Sequence, residues 1–188
     1  MRNSFFHRIV GAAVLDADTY EEVEADRSAT LQAMAVVVLS SLAAGIGAKG
    51  LTGGEATLRF FAWASVMSLM AWATWALVMF EIGSRILPTR ETRVDIGELL
   101  RTLGFAAAPG LVQVLGVLAN GAAPIFMLAM LWTLAASVVA VRQALDYTST
   151  GRALAVCALG WAISLAVAAV LGLLFAPQLS GISLVRAL

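Results

Sequence analysis

Five stretches of the chain are apolar for long enough to cross a hydrocarbon layer, and short polar breaks separate them. They run over about Thr30 to Ala48, Arg59 to Phe80, Leu99 to Ala119, Pro124 to Val141 and Ala153 to Ala176, each near the roughly 20 residues that span a layer of about 30 Å. A lipid-exposed run of this kind must be helical, because each backbone donor and acceptor needs a partner within the segment. The breaks carry residues that end helices: Lys49-Gly50 with Gly53-Gly54, Pro88, Asn120-Gly121 and Ser149-Thr150-Gly151. Only Asn120 to Ala123 separate the third and fourth runs, which predicts a tight antiparallel turn. The pattern predicts an all-α membrane protein, a five-helix transmembrane bundle. Residues 1–29 precede the bundle, 30–176 form it, and 177–188, too few for a sixth span, form a short tail outside.

The first thirty residues follow a different rhythm. Phe5, Phe6, Ile9, Val10, Ala13 and Val14 recur at helical spacing among Arg2, His7 and Arg8, with no continuous apolar run and no cleavage site of a signal peptide. This predicts an N-terminal interfacial amphipathic helix, its basic side toward the anionic inner leaflet and its aromatic side in the headgroup boundary. Thr19-Tyr-Glu-Glu22 fits a capping box and predicts a second helix running through Glu24 and Arg27 straight into the first span. Six acids and one base lie between Asp16 and Arg27. Such a run is more often a solvated helix face than an acidic docking surface for a basic partner.

Composition excludes a water-soluble domain. Of 188 residues 61% are hydrophobic and 13% charged, against about half apolar and a quarter charged in soluble domains. The twelve acids and twelve bases cancel and no basic face forms, so no nucleic-acid partner is expected. Where the bases fall sets an orientation, since Lys and Arg collect in cytoplasmic loops. With the N-terminus inside, Arg2, Arg8, Arg27, Arg85, Arg90, Arg93, Arg101, Arg142 and Arg152 lie inside, against Lys49, Arg59 and Arg186 outside. This predicts a multi-pass protein of the cytoplasmic (inner) membrane, N-terminus inside and C-terminus outside. Cys157 and His7, each alone of its type, cannot build a disulfide framework or a His/Cys metal site. The eleven Arg to one Lys, with abundant Ala, point to a GC-rich bacterial genome.

Motifs of chemistry are sparse. No P-loop, HExxH or GxSxG occurs, so no catalytic residue, cofactor or metal is expected. The middle of every span lacks Asp, Glu, Lys, Arg and His, which disfavours proton coupling through side chains. The polar residues inside the spans are Ser40, Ser41, Ser65, Ser68, Thr74, Gln113, Thr133, Ser137 and Ser164. Such hydroxyls more often bond their own helix backbone than line a substrate path; the Gln113 amide needs a partner. In the third span Gly104, Pro109 and Gly110 break the helix, and Pro109 frees a carbonyl near Phe105. Phe105, Pro109 and Gln113 are the candidate cleft, weighed against an ordinary kinked packing helix. Gly160, Ser164, Ala168 and Gly172 recur every four residues and give the last span a flat stripe, a candidate helix-packing interface within the chain or between chains. Trp63, Trp72, Trp75, Trp132 and Trp161 suit bundle core or lipid-facing bulk, with a ligand cage the minority reading. Glu81 with Arg85, Glu98 with Arg101 and Arg142 with Asp146 are spaced as helix-surface pairs. Together they form a candidate cytoplasmic polar cap, with Arg101 snorkelling toward the headgroups.

The run GELLRTLGFAAAPGL (Gly97 to Leu111), the helix LWTLAASVVAVRQALDYTSTGRALAV (Leu131 to Val156) and the opening LDADTYEEVEADRSATLQAMAVVVLSSLAAGIG (Leu15 to Gly47) resemble the membrane domain of the Yip1 family, including its bacterial members. The resemblance covers nearly the whole chain. It implies a five-span domain with a cytoplasmic N-terminus. Eukaryotic members are associated with vesicle trafficking and Rab-type GTPases, whereas for bacterial relatives the resemblance implies no role; without the long cytoplasmic N-terminal region of the eukaryotic members, GTPase recruitment is not expected of this sequence.

Three function classes are consistent with these features. The first is a non-enzymatic membrane organiser or adaptor acting through membrane lipids and other membrane proteins, or through itself as a homo-oligomer. The second is an accessory subunit of a larger membrane complex. The third is a small passive transporter or channel, suggested by the broken third span and Gln113.

Overall fold

In a computed structural model the chain is described over residues 4–51, 58–87, 95–118 and 122–185, with side chains described except at 50, 51, 58, 167–169 and 171–185. Among these residues there is helix and no strand: α1 (Phe5–Ala13), α2 (Ala17–Ala25), α3 (Ala29–Gly47), α4 (Leu58–Glu81), α5 (Ile96–Ala106), α6 (Ala123–Ala144) and α7 (Thr150–Val185). Four segments are long and apolar enough to cross a membrane, Ala29–Gly47, Arg59–Ile86, Ile96–Leu118 and Ala123–Ala144. The fifth expected span falls on α7, whose described apolar part is Thr150–Ala166 and whose helix continues to Val185. The protein is therefore an all-helical, multi-pass membrane bundle.

The third span is not one regular helix. An α-helix runs to Ala106 and a 3-10 helix from Ala108 to Leu118, several times the three or four residues usual for that geometry. Pro109 offers no N–H and its ring displaces the turn before it, so the chain tightens into i→i+3 bonding, with Ala107 N–H to the Gly104 carbonyl at 3.3 Å and Gly110 N–H to the Ala107 carbonyl at 2.9 Å. Two neighbours supply further donors. The Ser40 hydroxyl gives a hydrogen bond to the Ala107 carbonyl at 2.7 Å and the Trp72 indole gives one to Leu103 at 3.3 Å.

α1 and α2 form a hairpin against the bundle, not a rod leading into α3. α1 ends with Asp16 N–H bonded to the Gly11 carbonyl and Leu15 N–H to Ala12, Leu15 taking φ 65°. α6 ends alike, Tyr147 N–H bonding Arg142 and Asp146 N–H bonding Gln143, with Asp146 at φ 50°. Both are left-handed helix caps built without glycine. The expected capping box at Thr19 is corrected, because Asp16 takes the cap position of α2 and accepts a hydrogen bond from the Thr19 hydroxyl at 2.7 Å. Thr19 thus lies within the first turn, buried against Gly11. The predicted continuous helix through Arg27 breaks at Asp26, which is extended at ψ 98° and whose carboxylate accepts from the Ser28 amide and hydroxyl.

α3 is the hub, packed against α4, α5 and the 3-10 segment. In lipid the hydrophobic effect does not drive helices together, so close approach of small residues matters most. A methyl on Gly45 would overlap Ser65 and the Phe61 backbone, and one on Gly47 would overlap the Gln113 carbonyl. The run Gly45-Ile-Gly-Ala-Lys-Gly50 has the spacing of a dinucleotide-phosphate loop, but it ends an apolar helix rather than following a strand. Its first two glycines serve packing.

Candidate functional site

Charged residues of α1, α2, α5 and α6 gather at one end of the bundle. Arg8 is 1% exposed there. Its guanidinium gives hydrogen bonds to Glu22 at 3.0 Å, Asp26 at 2.6 Å and Gln32 at 2.9 Å, joining α1, α2 and α3. The expectation that the basic side of α1 meets the leaflet is corrected at this residue: the acidic run beside it neutralises Arg8 before lipid can. The Asp26 carboxyl is held down to about 2, chiefly by the Ser28 hydroxyl and then by Arg8. Sequence had offered both halves of this cluster, a cation and an acidic run, without the turn at Leu15 that brings them together.

The expected polar cap is partly assembled. Glu98, Arg142 and Asp146 line one pocket of about 510 Å³ together with Glu21 and Glu24. Glu81 and Arg85 pair at 3.1 Å on the exposed surface and stay outside it. The pairing expected of Arg101 and its snorkelling are both corrected. It is 4% exposed, and its guanidinium gives hydrogen bonds to the carbonyls of Val23 and Glu24, the last turn of α2. A cation there satisfies orphan carbonyls and meets the negative end of the helix dipole, a better partner than an exposed carboxylate. Arg142 likewise turns from Asp146 and donates to the Tyr147 carbonyl at 3.3 Å, because the left-handed cap swings that carbonyl toward it. Glu24 is pushed up to about 7, first by burial and then by Asp146, Glu98 and Glu21, against a downward pull from Arg101. Despite these carboxylates, no three His, Cys, Asp or Glu among the described residues are placed to hold a metal ion.

Half-way along the spans lies a second cavity of about 390 Å³, bounded by α3, α4, the 3-10 segment, α6 and α7. It draws one residue from each of two sequence motifs, Gln113 from the broken third span and Ser164 from the four-residue stripe. Phe105 and Pro109 are buried in the core and do not line it; Ala107 and Gly110 do. Trp72, Trp75 and Trp161 form part of its wall, Trp75 and Trp161 meeting edge to face at 6.2 Å. Gly160 packs against Met79, Trp75 and Ile82 of the α4 span, so at this level the stripe is spent inside the chain. The side chains at Ala168 and Gly172 lie outside the described residues.

The Yip1 domain model matches residues 13–171. The chain belongs to the Yip1 family. No curated protein and no solved structure matches it. In this Yip1 domain the matched region begins at the last residue of α1, so most of α1 lies before it. α1 is nevertheless bonded into the domain: the Trp132 indole donates to the Ala13 carbonyl at 2.7 Å and the Tyr20 hydroxyl to Ala12 at 3.1 Å. Its outer face carries Phe6, Val10 and Val14, 74%, 44% and 66% exposed at four-residue intervals.

Proposed function

We propose that this Yip1-family protein is a non-enzymatic organiser of the inner face of a bacterial cytoplasmic membrane, acting through lipid and protein contacts. The observation that supports this best is α1. It is fixed to the bundle by Arg8 and Trp132, yet it turns Phe6, Val10 and Val14 outward. The exposed Asp16 and Asp18 follow that apolar stripe directly in the chain. Apolar and acidic groups side by side suit the lipid–water boundary, not the hydrocarbon centre. A helix held there adds bulk to one leaflet only. The nine-to-three count of bases supports a cytoplasmic N-terminus. Topology reporters should therefore place Arg90 and Thr150 inside, and Gly54 and Leu188 outside.

Reconstitution tests the reading. Wild-type protein in large vesicles is expected to narrow or tubulate them. A Phe6→Ser, Val10→Ser, Val14→Ser variant, which keeps the Arg8 cluster, should leave them unchanged. Identical morphology from both proteins would sink the lipid-organising role. The same vesicles should show no enzymatic turnover and no proton-coupled flux, since no span centre offers a group that changes charge. Saturable transport abolished by Gln113→Leu would favour the passive transporter instead.

A further inference from the structure

We propose that the cavity half-way along the spans binds an uncharged amphiphile, with an acceptor-rich carbonyl or hydroxyl head and an apolar body reaching into the surrounding lipid. The hydroxyls in the spans fall into two groups. Ser65, Thr74, Ser84, Thr102 and Ser137 each donate to the carbonyl four residues earlier on their own helix, and Ser40 donates to Ala107. That is the usual fate of a hydroxyl in a membrane helix. Four span hydroxyls among the described residues make no such bond: Ser41, Ser68, Thr133 and Ser164. All four line this one cavity, and the Gln113 amide, also without a hydrogen-bond partner, is the fifth unspent polar group on its wall. Thr133 Oγ1 is fully buried with no partner, and Ser41 is only 5% exposed.

A buried polar group left unsatisfied costs about 1–3 kcal/mol, and Thr133 Oγ1 is one; the buried Ser41 and the half-buried Ser68, Gln113 and Ser164 converge on the same space from four other segments of chain, an arrangement that packing alone disfavours. Each of the five can donate a hydrogen bond, and the common need is an acceptor. Among the described residues no charged one lines the cavity. An ionic headgroup would be desolvated there without a counter-charge, which excludes anionic and cationic lipids. The indole walls suit an apolar or ring-bearing body, and the volume is that of a small-ligand site. The exposed Met130 and Leu165 on its rim give access from the side, where lipid chains lie. The cavity shares no residue with the N-terminal hairpin, so its ligand is independent of the organising role proposed above.

Titration of the purified full-length protein in nanodiscs, followed by native mass spectrometry, tests it. The probes are dioctanoylglycerol and a short-chain alkyl benzoquinone as two neutral heads, and dioctanoyl phosphatidic acid as the charged control. At least one neutral probe should bind saturably at one per chain, and the acid should not. Thr133→Val with Gln113→Leu keeps the shape and removes two partners, and should weaken that binding about tenfold. Because it also removes an unsatisfied hydroxyl, Thr133→Val alone should raise the melting temperature of the ligand-free protein, which a packing role would not do. Absence of saturable neutral binding, equal binding of the acid, or undiminished binding by the double variant would each overturn the proposal.

Discussion

The charged end and the intramembrane cavity are both built from side chains with donors and acceptors, and they treat them in opposite ways. At the charged end the strongest groups are consumed by the fold: Arg8 by Glu22, Asp26 and Gln32, and Arg101 by the carbonyls that close α2. In the cavity only weak, neutral groups are present, and five of them face open space. Charge is costly near lipid and so is neutralised on the spot, whereas a hydroxyl left without a partner is cheap enough to be held in reserve. The charged end thus reads as architecture and the cavity as a place for something else.

Changes at the charged end should therefore act mainly on stability, and the largest should follow Arg8→Ala. That change strands two carboxylates and unties three helices; because both acids are about 30% exposed, the loss is about 2–3 kcal/mol, not the full cost of a buried pair. Thermal unfolding in detergent reads it, and a wild-type melting temperature would mean that α1 is not fixed by this cluster. Gly47→Ala comes next. Its methyl meets the Gln113 backbone, which cannot swing aside, and about 1–3 kcal/mol should be lost. Gly160→Ala meets the flexible end of Met79 and should lose less; the reverse order would contradict the packing described for α3.

How much of this was legible in the sequence depends on how local each feature is. Four of the spans were, because twenty apolar residues in lipid leave the backbone little choice. Gly160 was found by its spacing and Gln113 by its oddity. The Arg8 cluster was not, because it depends on Leu15 adopting a left-handed conformation that its residue type does not advertise. The same holds for Arg101, whose partners are backbone carbonyls with no signature of their own. The hydroxyls of the cavity were visible as letters. Which of them go unpaired depends on how helices far apart in sequence meet, as Ser40 on α3 and Ala107 of the third span do.

A smaller effect comes from Glu24, half-buried at the charged end beside Asp146, Glu98 and Glu21. With its carboxyl raised from 4.5 to about 7, the folded protein keeps a proton that the unfolded chain releases between those values. Stability should thus decline as pH rises through that window and level off above it, by about 1–2 kcal/mol after allowing for solvent. Glu24→Gln should flatten the melting-temperature profile from pH 5 to 8; an unchanged slope would place the titrating group elsewhere. The smallest effect belongs to Glu81→Gln, which breaks only the exposed pair with Arg85 and should change stability by about 0.3 kcal/mol or less.

The central claim, that a rigid N-terminal hairpin turns an apolar stripe toward the inner leaflet, is tested most directly by lipid-phase quenching. With the buried Cys157 replaced by Ala, a fluorophore on a single cysteine at Phe6, Val10, Val14 or Asp18 is measured in nanodiscs containing doxyl-labelled lipid. Strong quenching at Phe6, Val10 and Val14 with little at Asp18 is the expected result. Weak quenching at all four positions would place the stripe in water and contradict the account.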